Sequence, residues 1–196
     1  MRKAILATMG LLTIFFQIVN GQADKQVDLC IYGATSAGVI AAYTASQAGK
    51  SVLLIDPGTR LGGLSSGGLG QTDIGNKYVV TGLALDFYRK MGKHYGNFEQ
   101  WIFEPKVAES IFKDYLRHSQ TQQLLGYRLT EVTAKNRSIK MITLIPSESR
   151  DGKKIIIAAK IFMDCSYEGD LMAKAGVSYH VGGGSNSTYG VTINGV

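Results

Sequence analysis

The sequence predicts an α/β fold, a parallel sheet whose last strand is reached through an antiparallel β-meander. Three observations lead there. Two short apolar runs, residues 28–32 and 51–55, flank an Ala-rich stretch of helical length. Each run ends at a residue suited to a ligand-facing turn, Gly33 after the first and Asp56 after the second. Beyond residue 124 the pattern changes to short β-branched segments, and a further apolar run, residues 160–163, delivers Asp164 at its end. Apolar runs without alternation suit parallel strands covered on both faces.

The first unit carries the strongest local signal. Strand 28–32 leads into Gly33-Ala34-Thr35-Ser36-Ala37-Gly38 and then a helix over residues 37–48. Ala37, Ala41, Ala42, Ala45 and Ala48 let that helix sit close on a sheet, and Gly49 is a natural stop. The second strand ends at Asp56, 23 residues beyond Gly33. A turn of small residues lets backbone N–H groups approach a pyrophosphate, and the helix starting near Ser36 points its positive end at that charge. A carboxylate about 20 residues further on is placed to meet a ribose hydroxyl. This is the order of a dinucleotide-binding βαβ unit. The fingerprint G-x-G-x-x-G is broken at its middle position by Thr35, whose β-branch stands where backbone should approach phosphate. On the residues alone, a parallel βαβ unit without a ligand stays open beside the nucleotide-binding one.

Residues 57–73 follow, rich in Gly and Ser, and form no regular element of their own. Leu61, Leu64 and Leu69 among the glycines favour an ordered loop over a flexible linker. Residues 81–93 read as a helix packed through Leu83, Leu85, Phe87, Tyr88 and Met91. Tyr95, Phe98, Trp101 and Phe103 read as core or cap packing rather than a ligand cage. Pro105 opens an amphipathic helix in which Val107, Ala108, Ile111, Phe112, Tyr115 and Leu116 recur at helical spacing. Residues 125–133, 138–145 and 153–159 are the strands of the meander. The strand 160–163 comes next, then a short helix over residues 171–175, and residues 182–196 carry no expected element.

The start of the chain has a different character. Arg2 and Lys3 precede an apolar run, residues 4–19, and Gly21-Gln22-Ala23 offers small residues to a signal peptidase. Residues 1–23 therefore read as a secretory signal peptide, with an uncleaved anchor as the alternative because the run is near the short limit for spanning. No twin-Arg pair is present, which favours the general export route. The mature protein, residues 24–196, is expected in the periplasm or outside the cell, with no integral membrane span. The formal net charge of +6 falls to +4 without Arg2 and Lys3. The remaining basic residues are scattered with no aromatic interleaving, so nucleic acid is not an expected partner. Cys30 and Cys165 fall in or at the end of apolar strands. Export would permit a disulfide, but buried free thiols are expected. No C-x-x-C and no Cys/His cluster has metal spacing, so no metal is expected. His94, His118 and His180 are isolated and read as surface or packed residues.

Four features in order resemble the FAD-dependent oxidoreductases of the glutathione-reductase-like flavoprotein class, and within it a branch of exported bacterial proteins. They are the turn 33–38, the acidic Asp56, the Leu61-Gly62-Gly63 loop, and Asp164 followed by Glu168-Gly169-Asp170. The last is similar to the class's Asp-Ala-Thr-Gly signature, with Cys165 and Ser166 in place of Ala-Thr. The branch tends to carry Thr at the middle glycine position. The resemblance implies a Rossmann-like FAD/NAD(P)-binding fold, incomplete here, because class members run on through a substrate domain and a late flavin-facing segment. Residues 24–196 are then the FAD-binding N-terminal part of a longer oxidoreductase.

The resemblance also implies roles. Gly33, Thr35, Ser36, Ala37 and Gly38 would line the FAD pyrophosphate. Asp56 would bind the adenosine ribose, with Pro57 beside it, and Arg60 would approach the adenine or a phosphate. Gly62, Gly63 and Leu64 would pass along the ribityl and flavin side, with Asp164 and Gly169 where the late strand joins the sheet. The expected activity is flavin-mediated hydride or electron transfer on a small-molecule substrate that the residues do not specify. No side chain stands out as general acid or base. A nicotinamide-dependent Rossmann dehydrogenase and a non-catalytic exported fragment are the alternatives. The Gly62 and Gly63 loop and the meander before Asp164 argue against the dehydrogenase.

Overall fold

The computed structural model describes residues 23–149, 151–190 and 192. The expected signal peptide lies outside the described residues, apart from Ala23. Six strands form one sheet: β1 (Lys25–Tyr32), β2 (Val52–Asp56), β3 (Gln122–Leu125), β4 (Tyr127–Lys135), β5 (Ser138–Pro146) and β6 (Ile155–Asp164). Their order is β3-β2-β1-β6-β5-β4. β3, β2, β1 and β6 run parallel to one another, while β5 pairs antiparallel with β6 and with β4. The chain leaves β1 to one side for β2 and β3, then returns through the meander to β1's other side. Such a reversal leaves a crevice at the carboxyl ends of the strands, where ligands bind in open α/β sheets.

The apolar runs are explained by cover on both faces. Along β1, Leu29 and Ile31 face one core cluster while Val27, Cys30 and Tyr32 face another. Along β2, Val52 and Leu54 join the first and Leu53 and Ile55 the second. Strand geometry alternates side chains from Leu29 to Tyr32 and from Val52 to Ile55, and here both sides are dry. The first cluster is closed by α1 (Ser36–Gln47), α3 (Gly82–Tyr95) and α4 (Pro105–Arg117). The second is closed by Leu129, Ile142 and Leu144 of the meander and by Leu171 of α5 (Asp170–Lys174). Tyr32 ties the two halves, because its phenol oxygen accepts the Leu129 N–H at 3.2 Å.

Several boundaries differ from those read in the sequence. β1 begins at Lys25 rather than 28, because Lys25, Gln26 and Val27 pair with Ile157, Ala158 and Ala159 of β6; backbone pairing does not need apolar side chains. Segment 125–133 is not one strand. Gly126, at φ +76°, breaks it into β3, which pairs parallel with β2, and β4. Residues 153–159 and 160–163 are one continuous strand, β6, antiparallel to β5 in its first half and parallel to β1 along most of its length. The Gly- and Ser-rich loop holds a single helical turn, α2 (Leu64–Gly67), and a 3-10 turn at Lys77–Val79 follows it. A further turn of helix, α6 (Asn186–Tyr189), falls where no element was expected.

The aromatic segment packs as expected. Phe103 is buried edge-on to Phe87, and Trp101 stacks on Tyr88 at 3.8 Å. Phe98 is the exception, exposed beneath the Arg89 guanidinium. Cys30 and Cys165 are both free thiols. Burial pushes the Cys30 thiol up to about 12. Among the described residues no helix is long and apolar enough to cross a membrane, and no group of three or more His, Cys, Asp or Glu could hold a metal ion.

Candidate functional site

The carboxyl ends of β1, β2 and β6 converge on one cleft of about 370 Å³. Six of the residues singled out in the sequence line it: Gly33, Thr35, Asp56, Pro57, Arg60 and Gly63. Gly58, Thr59, Ser166, Tyr167, Glu168 and Asp170 complete the wall.

The turn after β1 is shaped by close approach. Gly33 has φ +106°, and a Cβ there would lie 2.5 Å from the Cys165 carbonyl carbon and the Ser166 nitrogen. A Cβ on Gly38 would run into the Gly33 carbonyl. Both positions are therefore closed to any larger side chain. Thr35 resolves the broken fingerprint. It is the N-cap of α1 and is buried, its hydroxyl accepting the Gly38 N–H at 3.3 Å and donating to the Cys165 carbonyl at 2.9 Å. The hydroxyl is turned to the protein side, where it braces the β6 end, and with 6% of its surface exposed Thr35 presents little bulk to the cleft. The N–H groups of Ser36 and Ala37 belong to the first helical turn, which has no intrahelical acceptor for them, and no acidic residue occupies that turn.

Asp56 binds its own surroundings first. One carboxylate oxygen accepts the Ala34 N–H at 2.6 Å and the other the Gly58 N–H at 2.7 Å. It thus fixes the turn after β1 against the turn after β2. Each carboxylate oxygen carries two acceptor sites, so these bonds leave room for a ligand hydroxyl. The Pro57 and Gly58 turn is held from behind, with Gly126 N–H on the Gly58 carbonyl at 2.8 Å and the Ser147 hydroxyl on the Pro57 carbonyl at 2.6 Å.

The glycine loop lies across the mouth of α1. Gly62 donates to the Ala34 carbonyl at 2.8 Å and forms a parallel bridge with Thr35. A Cβ on Gly62 would meet the Phe112 ring, and one on Gly63 would meet the Tyr167 hydroxyl and, at 3.1 Å, the Thr35 Cα. Ser66 is fully buried and closes the loop through the Leu61 carbonyl at 2.5 Å. This is an ordered structure rather than a linker.

Asp164 does not line the cleft. One oxygen accepts the Ser166 N–H at 2.9 Å and hydroxyl at 2.7 Å, and the other accepts the Met172 N–H at 2.8 Å. Its visible work is to shape the β6–α5 turn that carries Ser166, Tyr167 and Glu168. Gly169 caps α5 at φ +69° and lies behind that wall. Gly38, Gly62 and Leu64 likewise support the cleft without lining it, while Ser36 and Ala37 face a second, apolar cleft of about 370 Å³ bounded by Ile40, Leu83, Phe87 and Phe112. The sequence reading missed the roles of Ser166, Tyr167, Gly126 and Ser147. Only the first two had a signal, their place just after a strand-end Asp.

Three carboxylates and one guanidinium line the cleft, those of Asp56, Glu168, Asp170 and Arg60. Against this net negative lining, the backbone N–H groups at the α1 N-terminus favour an anion, with Arg60 the cationic side chain beside them. The glycines at 33 and 63 leave the space that side chains would fill, Thr35 keeps its bulk out of that space, and Asp56 keeps acceptor capacity. These residues fit a dinucleotide laid across the switch point with its diphosphate at α1.

Fold and cleft define a dinucleotide-binding α/β protein. The sequence pattern of the FAD dependent oxidoreductases matches residues 28–194, and the chain belongs to that family, whose cofactor is FAD. No curated protein matches the sequence. Among solved structures, THI4 of Thermovibrio ammonificans is similar with a TM-score of 0.55 at 16% identity, covering 82% of this chain and 67% of that one. A geranylgeranyl bacteriochlorophyll reductase-like protein of Thermoplasma acidophilum gives 0.56 at 12% identity, covering 79% of this chain and 43% of its own. A flavoprotein/dehydrogenase of Cytophaga hutchinsonii gives 0.56 at 15%, covering 77% and 42%. At these identities the likeness is one of fold.

Proposed function

We propose that this chain is the FAD-binding part of an exported oxidoreductase that transfers hydride or electrons between bound flavin and a small-molecule substrate. The observation that carries the reading is the single cleft in which the α1 N-terminus, Asp56 and the glycine loop meet, in a chain of this family. The family match favours FAD over the nicotinamide alternative. Export rests on the basic, apolar and small-residue order of residues 1–23. N-terminal sequencing of the protein recovered from the periplasm or medium tests it: a start at Asp24 supports cleavage, and a start at Met1 overturns it.

Flavin, when bound, supplies the redox chemistry. The chain's own residues supply position. The Ser36 and Ala37 N–H groups and the α1 dipole hold negative charge at the turn. Asp56, already oriented by Ala34 and Gly58, presents its remaining acceptor sites to a ribose hydroxyl without paying to order a loose side chain. Pro57 and Arg60 line the same cleft. Gly33 and Gly63 keep that path open.

Titration of the purified chain with FAD, followed by quenching of flavin fluorescence, tests the reading. One saturable site is expected, with affinity reduced in Asp56→Ala by about 1.5–3 kcal/mol, the range for a hydrogen bond to a charged group. No quenching by wild type would contradict the proposal, and equal affinity in the variant would remove Asp56 from the site.

A further inference from the structure

Tyr167 has no role in the sequence reading, yet it occupies the point where the two halves of the cleft meet. It stands on the β6–α5 turn and half of its surface is exposed, at 55%. Its phenol oxygen accepts the Leu64 N–H at 2.6 Å, across 103 positions of sequence. Leu64 is the first residue of α2, so this one bond fastens the end of the glycine loop to the β6 side of the cleft. The approach is tight. Gly63, at φ +55°, has no Cβ, and one placed there would lie against the Tyr167 oxygen and ring and 3.1 Å from the Thr35 Cα. The phenol oxygen is therefore beside the N-cap of α1, where an anion is favoured.

A phenol both accepts and donates. Leu64 uses the acceptor. Among the described residues no hydrogen-bond acceptor engages the Tyr167 proton, while Tyr167 itself lines the cleft. The neighbouring Ser166 hydroxyl is already committed, donating to Asp164 and accepting the Asp170 N–H. The other side chains of this wall, Glu168 and Asp170, are carboxylates that repel an anion. That leaves Tyr167 as the wall's side-chain donor for a diphosphate.

We propose that Tyr167 is a positioning residue of the cofactor cleft: its oxygen latches the glycine loop through Leu64, and its O–H donates to a diphosphate oxygen held at the α1 N-terminus. The inference rests on the FAD reading of the same cleft. Two features follow from it. The contact depends on the diphosphate rather than on the flavin ring, so ADP should feel it as FAD does. And it depends on the phenol oxygen rather than the ring, so Phe cannot replace it.

The test is Tyr167→Phe in the full chain, compared with wild type for FAD, ADP and adenosine binding by calorimetry. The expected result is a loss of about tenfold in affinity for FAD and ADP, with adenosine binding unchanged. Hydrogen exchange at the Leu64 amide gives the second reading, and it should accelerate in the variant if the latch exists. Equal FAD and ADP affinity in wild type and variant would overturn the inference and leave the FAD reading standing. An equal loss for FAD, ADP and adenosine would overturn it too, by showing a general distortion of the cleft rather than a diphosphate contact. Wild type that bound neither FAD nor ADP would overturn the FAD reading and this inference with it.

Discussion

Thr35 shows how a residue that breaks a motif can serve the same turn. The fingerprint asks for glycine so that backbone can approach phosphate, and the sequence offers a β-branched side chain instead. The backbone resolves this by turning the side chain inward, where its hydroxyl caps α1 and bonds the Cys165 carbonyl. Restoring the glycine should therefore not improve the protein. Thr35→Gly is expected to lose about 1 kcal/mol of stability, mainly the bond to Cys165, because glycine itself is a tolerable N-cap. Urea unfolding measures it, and an equal or higher midpoint would contradict the brace. This detail was illegible in the sequence, since the partner lies 130 positions away. Gly33 and Asp56 were legible because their spacing follows from local turn and strand geometry, and Gly63 only through the family resemblance. The same limit hid Tyr167, whose partner Leu64 is brought near only by the tertiary fold.

At the scale of elements, long apolar periodic segments read true and short edge pieces did not. The helix opened by Pro105 starts where it was expected, and its six buried side chains are those that recur at helical spacing. β3 was missed because Gln122-Gln123-Leu124-Leu125 is short, half polar and half exposed, held by pairing with β2 rather than by its own pattern. The central strand β1 carries a consequence for pH. Burial raises the Cys30 thiol from 9.0 to about 12, and raises Tyr32 and Tyr115 also. For a group whose folded pKa is raised, the unfolded chain releases its proton first, so stability is whole below the unfolded value and falls as pH climbs from it toward the folded one. The urea midpoint should therefore decline above about pH 9, and less steeply in Cys30→Ala than in wild type. Parallel slopes would show that the thiol does not contribute. Asp28 acts in the opposite direction. The Lys160 ammonium at 2.6 Å, together with Ser51, holds its carboxyl well below the usual range, so its contribution is present above about pH 4 and fades in stronger acid.

At the scale of the whole molecule, the sheet is closed on one side and open on the other. β5 pairs with β6 only from Ile155 to Ala158, so the half of β6 that leads to the cleft has β1 alone beside it. Ile161 and Met163 on that half are exposed, at 62% and 37%. An apolar strand with an unpaired edge favours association. Light scattering of the purified chain is expected to show concentration-dependent self-association, reduced in Ile161→Lys. A strictly monomeric wild type would contradict this. The overall order of the molecule was legible from three apolar runs and a change of period. The curl of the meander over the second face was not, because it depends on Leu129, Ile142 and Leu144 meeting Cys30 and Tyr32 across the sheet.

The central claim is that the cleft at the ends of β1, β2 and β6 holds FAD by its diphosphate and ribose. Amide chemical-shift mapping of the full chain during FAD titration locates the ligand directly. The predicted result is that the largest shifts fall at Gly33, Thr35, Gly58 and Gly63, which line that cleft at the α1 N-cap and in the turns that Asp56 joins. Shifts confined to the apolar cleft of Leu83, Phe87 and Phe112, or no shifts at saturating FAD, would contradict it.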